Sequence, residues 1–250
     1  CGDTLRMALN WACRADVRNL PPDFVNPVTP ELFENSFSKD PLRDCVFPLE
    51  RRLALLNTMD DWQFMSLSIL LVLPIRLEDV SGLIISDVDF NKQQIRFSSR
   101  FGGSDFNKGK VNVLFPLPDE LMPLLQMLVG ERVEGPLFLN RKICLGKSSR
   151  KYTFDSTSDL EQQYHDELFK APKGTVLNSQ DRKAVFRYFL NKAGGITSAY
   201  VGKQLRQVIG KVESGRPYDL RGSITQEMKE AGIPLLELRY LTEHSVSDII

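Results

Sequence analysis

Residues 61–73 carry apolar side chains on nearly every side of a helix: Trp62, Phe64, Met65, Leu67, Ile69, Leu70 and Leu73. A helix that is apolar all round cannot face water and has to be enclosed by other elements. Pro74 removes an amide donor and clashes with the preceding turn, so it ends or kinks this helix. Arg76 follows two residues later. A cation is thereby fixed at the point where a buried helix stops, which is a rigid place to hold one.

The pattern around that segment is mostly helical. Leu49, Leu53 and Leu56 recur at helical spacing over 48–58, and Leu121, Leu124, Leu125 and Leu128 do so behind a capping residue, Asp119. Helices are predicted over 180–192 and 197–212, divided by Gly194-Gly195. Another runs from Arg221 to Ala231 and is closed by Gly232, and a short one spans Leu235 to Leu241 after Pro234. Between them the period changes to two. Val88 with Phe90, Ile95 with Phe97, and Val111, Val113 and Phe115 read as three short antiparallel strands, with a turn at Asn91-Lys92 and a Gly- and Lys-bearing loop from Phe101 to Lys110. The polar stretch from Asn140 to Lys173 reads as irregular or inserted. The expected class is mainly α with a small antiparallel β-sheet (α+β). Residues 4–18 predict a further helix, with Leu5, Leu9, Ala12 and Cys13 on one stripe. Pro21-Pro22 and Asn26-Pro27 break it.

Charge is balanced, with 32 basic and 32 acidic residues. A nucleic-acid binder usually carries a basic surplus. The acids Glu161, Asp166 and Glu167 are clustered, however, while basic residues recur at 96, 100, 108, 110, 203, 206, 211, 216 and 221. Zero net charge is therefore compatible with one basic face. Two histidines and four scattered cysteines, Cys1, Cys13, Cys45 and Cys144, argue against a Cys/His metal site and fit free thiols in a reducing, cytoplasmic compartment. No apolar run is long enough to span a bilayer. Gly146-Lys147-Ser148 evokes a phosphate loop, but Arg141 stands where its first glycine belongs.

Two arginines and a histidine brought together form a set that grips phosphate, because guanidinium forks donate to phosphate oxygens in pairs. The candidates are Arg76, Arg221 and His244. Tyr218 lies one helical turn before Arg221, and its phenol can donate one hydrogen bond to phosphate. Asp79 lies three residues after Arg76, within reach on a helical turn. Tyr200 and Tyr240 precede His244, the latter on a helix expected to bury it.

The order and spacing of these motifs resemble the catalytic domain of the tyrosine recombinases, or phage integrases. Leu73-Pro74-Ile75-Arg76-Leu77-Glu78-Asp79 resembles the family's first arginine motif, with Arg76 and Asp79 in its arginine and acid slots, and Asp87-Val88 starts the first strand. Tyr218-Asp219-Leu220-Arg221 resembles the His-x-x-Arg motif with tyrosine in place of histidine. Leu241-Thr242-Glu243-His244-Ser245 resembles Leu-Gly-His-Ser with one extra residue, and Arg221 and His244 lie 23 residues apart. The resemblance implies cleavage and rejoining of double-stranded DNA through a 3′-phosphotyrosyl intermediate, with no metal or cofactor and with self-association on DNA. It implies a site of Arg76, Tyr218, Arg221 and His244. It adds a hairpin lysine as general acid, for which Lys108 is chosen over Lys110 and Arg100. Asp79 would orient an arginine or the histidine. The nucleophilic tyrosine is expected about nine residues after the histidine, near position 253. Residues 30–250 are thus expected to be a catalytic domain truncated before that tyrosine, and residues 1–29 the stub of an N-terminal DNA-clamping domain with its linker. Two other readings stay open: a DNA-binding relative without catalysis, and a helical interaction scaffold.

Overall fold

The computed structural model describes residues 47–97, 113–171, 177–212 and 214–242. The predicted 4–18 helix, the 101–110 loop, Val111, and Cys1, Cys13 and Cys45 lie outside the described residues, as does the proposed 1–29 stub. The described residues form eleven α-helices and one three-stranded sheet: α1 Leu49–Thr58, α2 Asp61–Leu67, α3 Ile69–Val72, α4 Leu77–Gly82, β1 Val88–Asp89, β2 Gln94–Phe97, β3 Val113–Pro116, α5 Leu121–Val129, α6 Arg141–Cys144, α7 Thr157–Phe169, α8 Ser179–Lys192, α9 Ser198–Val212, α10 Pro217–Glu230 and α11 Leu235–Thr242. The mainly helical α+β class holds. The sheet is antiparallel in the order β1-β2-β3, with Val88 opposite Ile95 and Ile95 opposite Phe115.

The apolar segment is divided at Ser68 into α2 and α3, and most of it is buried. Phe64 and Val72 are its exposed apolar side chains. Asp60 and Gln63 start α2 reciprocally: the Asp60 carboxylate accepts the Gln63 amide at 3.0 Å, and the Gln63 side chain accepts the Asp60 amide at 3.2 Å. The Trp62 indole donates to the Leu139 carbonyl at 3.0 Å, which pays the polar cost of sinking that ring.

Helix α9 is the hub. Val201, Leu205, Val208 and Ile209 are fully buried at i, i+4, i+7 and i+8, and the helix packs against α1, α2, α4 and α10. At Gly202 a Cβ would come 3.3 Å from Leu77 Cδ1, so the small residue lets α4 approach closely. Helix α10 packs against α3, α9 and α11, and α11 packs against β3.

Four expectations are corrected. In α1 the buried residues are Arg52 and Leu55, while Leu49 and Leu53 are exposed. Asp119 does not cap α5; its carboxylate accepts from the Gln93 side chain at 2.8 Å. Helix α10 begins at Pro217 rather than at Arg221. The stretch from Asn140 to Lys173 is not irregular, because it contains the thirteen-residue α7. Ser156 caps α7, and Leu160 and Tyr164 enter a cluster with Phe154, Phe186, Phe189 and Leu190. Its single narrow apolar stripe is outnumbered by Glu, Asp and Gln, which makes the segment read as polar.

Candidate functional site

The helix before Arg76 stops because Pro74 offers no amide; the next amide, of Ile75, turns back to the Leu73 carbonyl at 2.8 Å. Arg76 then takes extended backbone as the residue that precedes α4. Asp79, three residues on, accepts the Arg76 amide with its carboxylate at 2.9 Å. Asp79 thus fixes the backbone of the arginine, which suits the orienting task the resemblance implies. Both side chains are half-buried.

The same device opens α10. Arg216 precedes it in extended backbone, Pro217 occupies the first helical position, and the Asp219 carboxylate accepts the Arg216 amide at 2.9 Å and its guanidinium at 3.1 Å. A carboxylate in the first turn also favours the positive end of the helix dipole. The result is that Tyr218 lies in the first turn and Arg221 in the second.

These two differ sharply in exposure. Tyr218 is 64% exposed, with its phenol open to solvent or to a ligand. Arg221 is 5% exposed, and one of its terminal nitrogens donates to the Thr242 carbonyl at the end of α11. The last carbonyls of a helix have no partner within it, so a guanidinium there both satisfies the carbonyl and is held by it. Thr242 is fully buried, and its hydroxyl donates to the Leu238 carbonyl at 2.6 Å. Thr242 precedes His244 by two residues in the chain.

His244 lies outside the described residues, as do Lys108, Lys110 and Arg100. The structure therefore describes Arg76, Asp79, Tyr218 and Arg221 of the sequence-derived set. It joins Arg76 to Asp79, and Arg221 to the C-terminal end of α11. Tyr240 is 42% exposed rather than buried, and its phenol oxygen accepts the Leu114 amide of β3 at 3.0 Å. Among the described residues no three His, Cys, Asp or Glu side chains gather as a metal site would require, and no helix is long and apolar enough to cross a membrane.

Sequence reasoning missed Arg52, which is 7% exposed. Its guanidinium donates to the Leu71 carbonyl at 2.7 Å and pairs with Glu227. The available signal was its position three residues before Leu55 on one face of α1. Leucines are the natural reading of an inward stripe, and they drew attention to the opposite face.

No protein-family model matches the chain, and no curated protein matches it in sequence. Solved structures match it in fold. One is the Tn1549 transposon integrase in complex with transposon right end DNA, with a TM-score of 0.61 over 98% of this chain and 70% of that one, at 16% identity. The same integrase in complex with a circular intermediate DNA gives 0.59 at the same coverage and identity. The likeness lies in the fold: the chain has the fold of a tyrosine recombinase catalytic domain.

Proposed function

We propose that the chain is the catalytic domain of a site-specific DNA recombinase or integrase that cuts and rejoins strands through a 3′-phosphotyrosyl intermediate. The observation that carries this reading is Arg221, a buried arginine held under the end of the last described helix, in a fold shared with DNA-bound integrases. Its helix packs on α3, the helix that leads into Arg76.

On this reading a tyrosine hydroxyl attacks the scissile phosphorus. The bond to phosphorus forms as the bond to the 5′ oxygen breaks, and the 5′ oxygen leaves as a hydroxyl. Arg76 and Arg221 donate to the non-bridging oxygens, where negative charge builds in the transition state. Lys108 protonates the leaving oxygen. Tyr218 adds one hydrogen bond to phosphate from the position of the family histidine. His244 hydrogen-bonds the scissile phosphate or assists the nucleophile. Asp79 holds Arg76 in place. The nucleophile belongs to a segment after His244, near position 253. The bond energy stays in the protein–DNA link, so rejoining needs no nucleotide cofactor. Residues 30–250 form the catalytic domain on this reading, residues 1–29 end a DNA-clamping domain, and copies of the chain associate on DNA.

The test is incubation of the protein from its complete reading frame with a nicked suicide duplex, followed by denaturing electrophoresis. A covalent protein–DNA adduct supports the reading, and residues 1–250 alone are expected to form none. Salt-sensitive duplex binding without an adduct on any duplex, its own attachment sequence included, would make it a DNA-binding relative. Absence of duplex binding at low salt would sink both.

A further inference from the structure

We infer that Arg52 is a positioning residue that sets the spacing between the two arginine-bearing elements; the inference rests on the recombinase reading of Arg76 and Arg221. Its origin is the end of α3. In a continuing helix the Leu71 carbonyl would accept the amide of residue 75. Pro74 ends the helix, and the Ile75 amide turns to Leu73 instead. The Arg52 guanidinium, arriving from α1, supplies the donor that Leu71 lacks from its own helix, at 2.7 Å. The other end of the fork meets the Glu227 carboxylate on α10.

One buried side chain thus joins a carbonyl five residues before Arg76 to a carboxylate six residues after Arg221. Nothing in the local needs of α1 asks for a cation on its inward face; a leucine would pack there. An arginine is required only if α3 and α10 are to be held at a set distance, because its fork is planar and carries five donors in a fixed geometry. A second contact reinforces the strut. The amide of Phe47, at the entry to α1, donates to the Ser223 hydroxyl on α10 at 2.7 Å, two residues beyond Arg221. Phosphate chemistry is sensitive to such spacing, since a small misplacement far from the reacting atoms lowers the rate without removing any catalytic group.

The test uses the protein from its complete reading frame, with Arg52→Met, Arg52→Lys and Glu227→Gln, at temperatures well below each variant's melting point. Three quantities are read: single-turnover adduct formation on a suicide duplex, duplex affinity, and the ¹⁵N spectra of the Arg76 and Arg221 Nε–H groups. Arg52→Met is expected to slow adduct formation by about 10- to 100-fold with affinity changed by less than about two-fold, and to shift the Arg221 cross-peak. Arg52→Lys, which keeps the charge, should recover part of the rate. A folded Arg52→Met with the wild-type rate and unshifted cross-peaks overturns the inference. If Arg52→Met fails to fold, Glu227→Gln decides the matter, because it loosens the fork from α10 and leaves the Leu71 contact. A shifted Arg221 cross-peak with a slowed adduct supports positioning, and wild-type behaviour overturns it. If the wild type forms no adduct on any duplex, the recombinase reading falls, and the cross-peaks alone then carry or sink the role of Arg52.

Discussion

At the scale of single residues, the chemistry and the architecture meet in Arg221. Its guanidinium closes the end of α11 as well as being the proposed phosphate donor. Arg221→Ala should therefore act twice. It should suppress adduct formation by about 10²-fold or more. It should also lower stability by about 1–3 kcal/mol, read by thermal melting, because a buried carbonyl loses its donor. Arg221→Lys, a point charge without a fork, should recover stability better than rate. Tyr152 offers a contrasting case. Its ring packs on Phe154 and Phe189, but its buried hydroxyl makes no hydrogen bond among the described residues, and burial pushes its pKa up to about 12. The unfolded chain releases that proton near 10, so the neutral phenol's contribution is intact below pH 10 and is lost as the pH rises from there towards 12. Tyr152→Phe should be as stable as the wild type or more so at neutral pH, and should lose less stability in alkaline denaturation. Arg76 and Arg221 stood out in the sequence because each sits in a spaced motif. Arg52 did not, because its partners, Leu71 and Glu227, are remote in the chain and no local pattern announces them.

At the scale of elements, legibility followed periodicity. The sheet, α5, α8, α9 and α11 were readable from spacing, and Pro234 marked the start of α11 well. Helix α10 was placed late because Asp219 works as a first-turn acid only once Arg216 is seen to precede the helix in extended backbone. Helix α7 was lost because only Leu160 and Tyr164 are buried in it, and much of their environment, Ile84 and the α8 residues Phe186, Phe189 and Leu190, is remote in sequence. Leu160→Ala should cost about 2–5 kcal/mol, showing that α7 belongs to the cooperative core. The glycines separate two roles. A Cβ at Gly195 would stand 2.9 Å from the Leu190 carbonyl oxygen, which is backbone and cannot give way. Gly195→Ala should destabilise by about 1–3 kcal/mol. At Gly210, in α9, a Cβ meets nothing within 4 Å, and Gly210→Ala should stabilise by about 0.5–1 kcal/mol. Chemical denaturation of the pair measures both.

At the scale of the whole molecule, zero net charge and the proposed DNA binding are reconciled if the basic residues share one side. Helix α9 exposes Lys203, Arg206 and Lys211 and carries no acid, while Asp166 is exposed on α7, which packs on α8. Duplex affinity should then fall steeply between low and physiological salt, with a log–log slope close to the number of phosphates neutralised. Titration across that salt range checks it, and a flat dependence would contradict a basic face. One contact also makes the molecule observable from within. Leu114 pairs with Arg96 in the sheet, and its amide points away from β2, on the outer edge of β3, where Tyr240 of α11 receives it. That amide is shielded only while α11 stays docked. Its hydrogen-exchange rate therefore times the opening of α11, independently of DNA or of any reaction. Tyr240→Phe should speed exchange at Leu114 while leaving the amide of Ile95, at the centre of the sheet, unchanged.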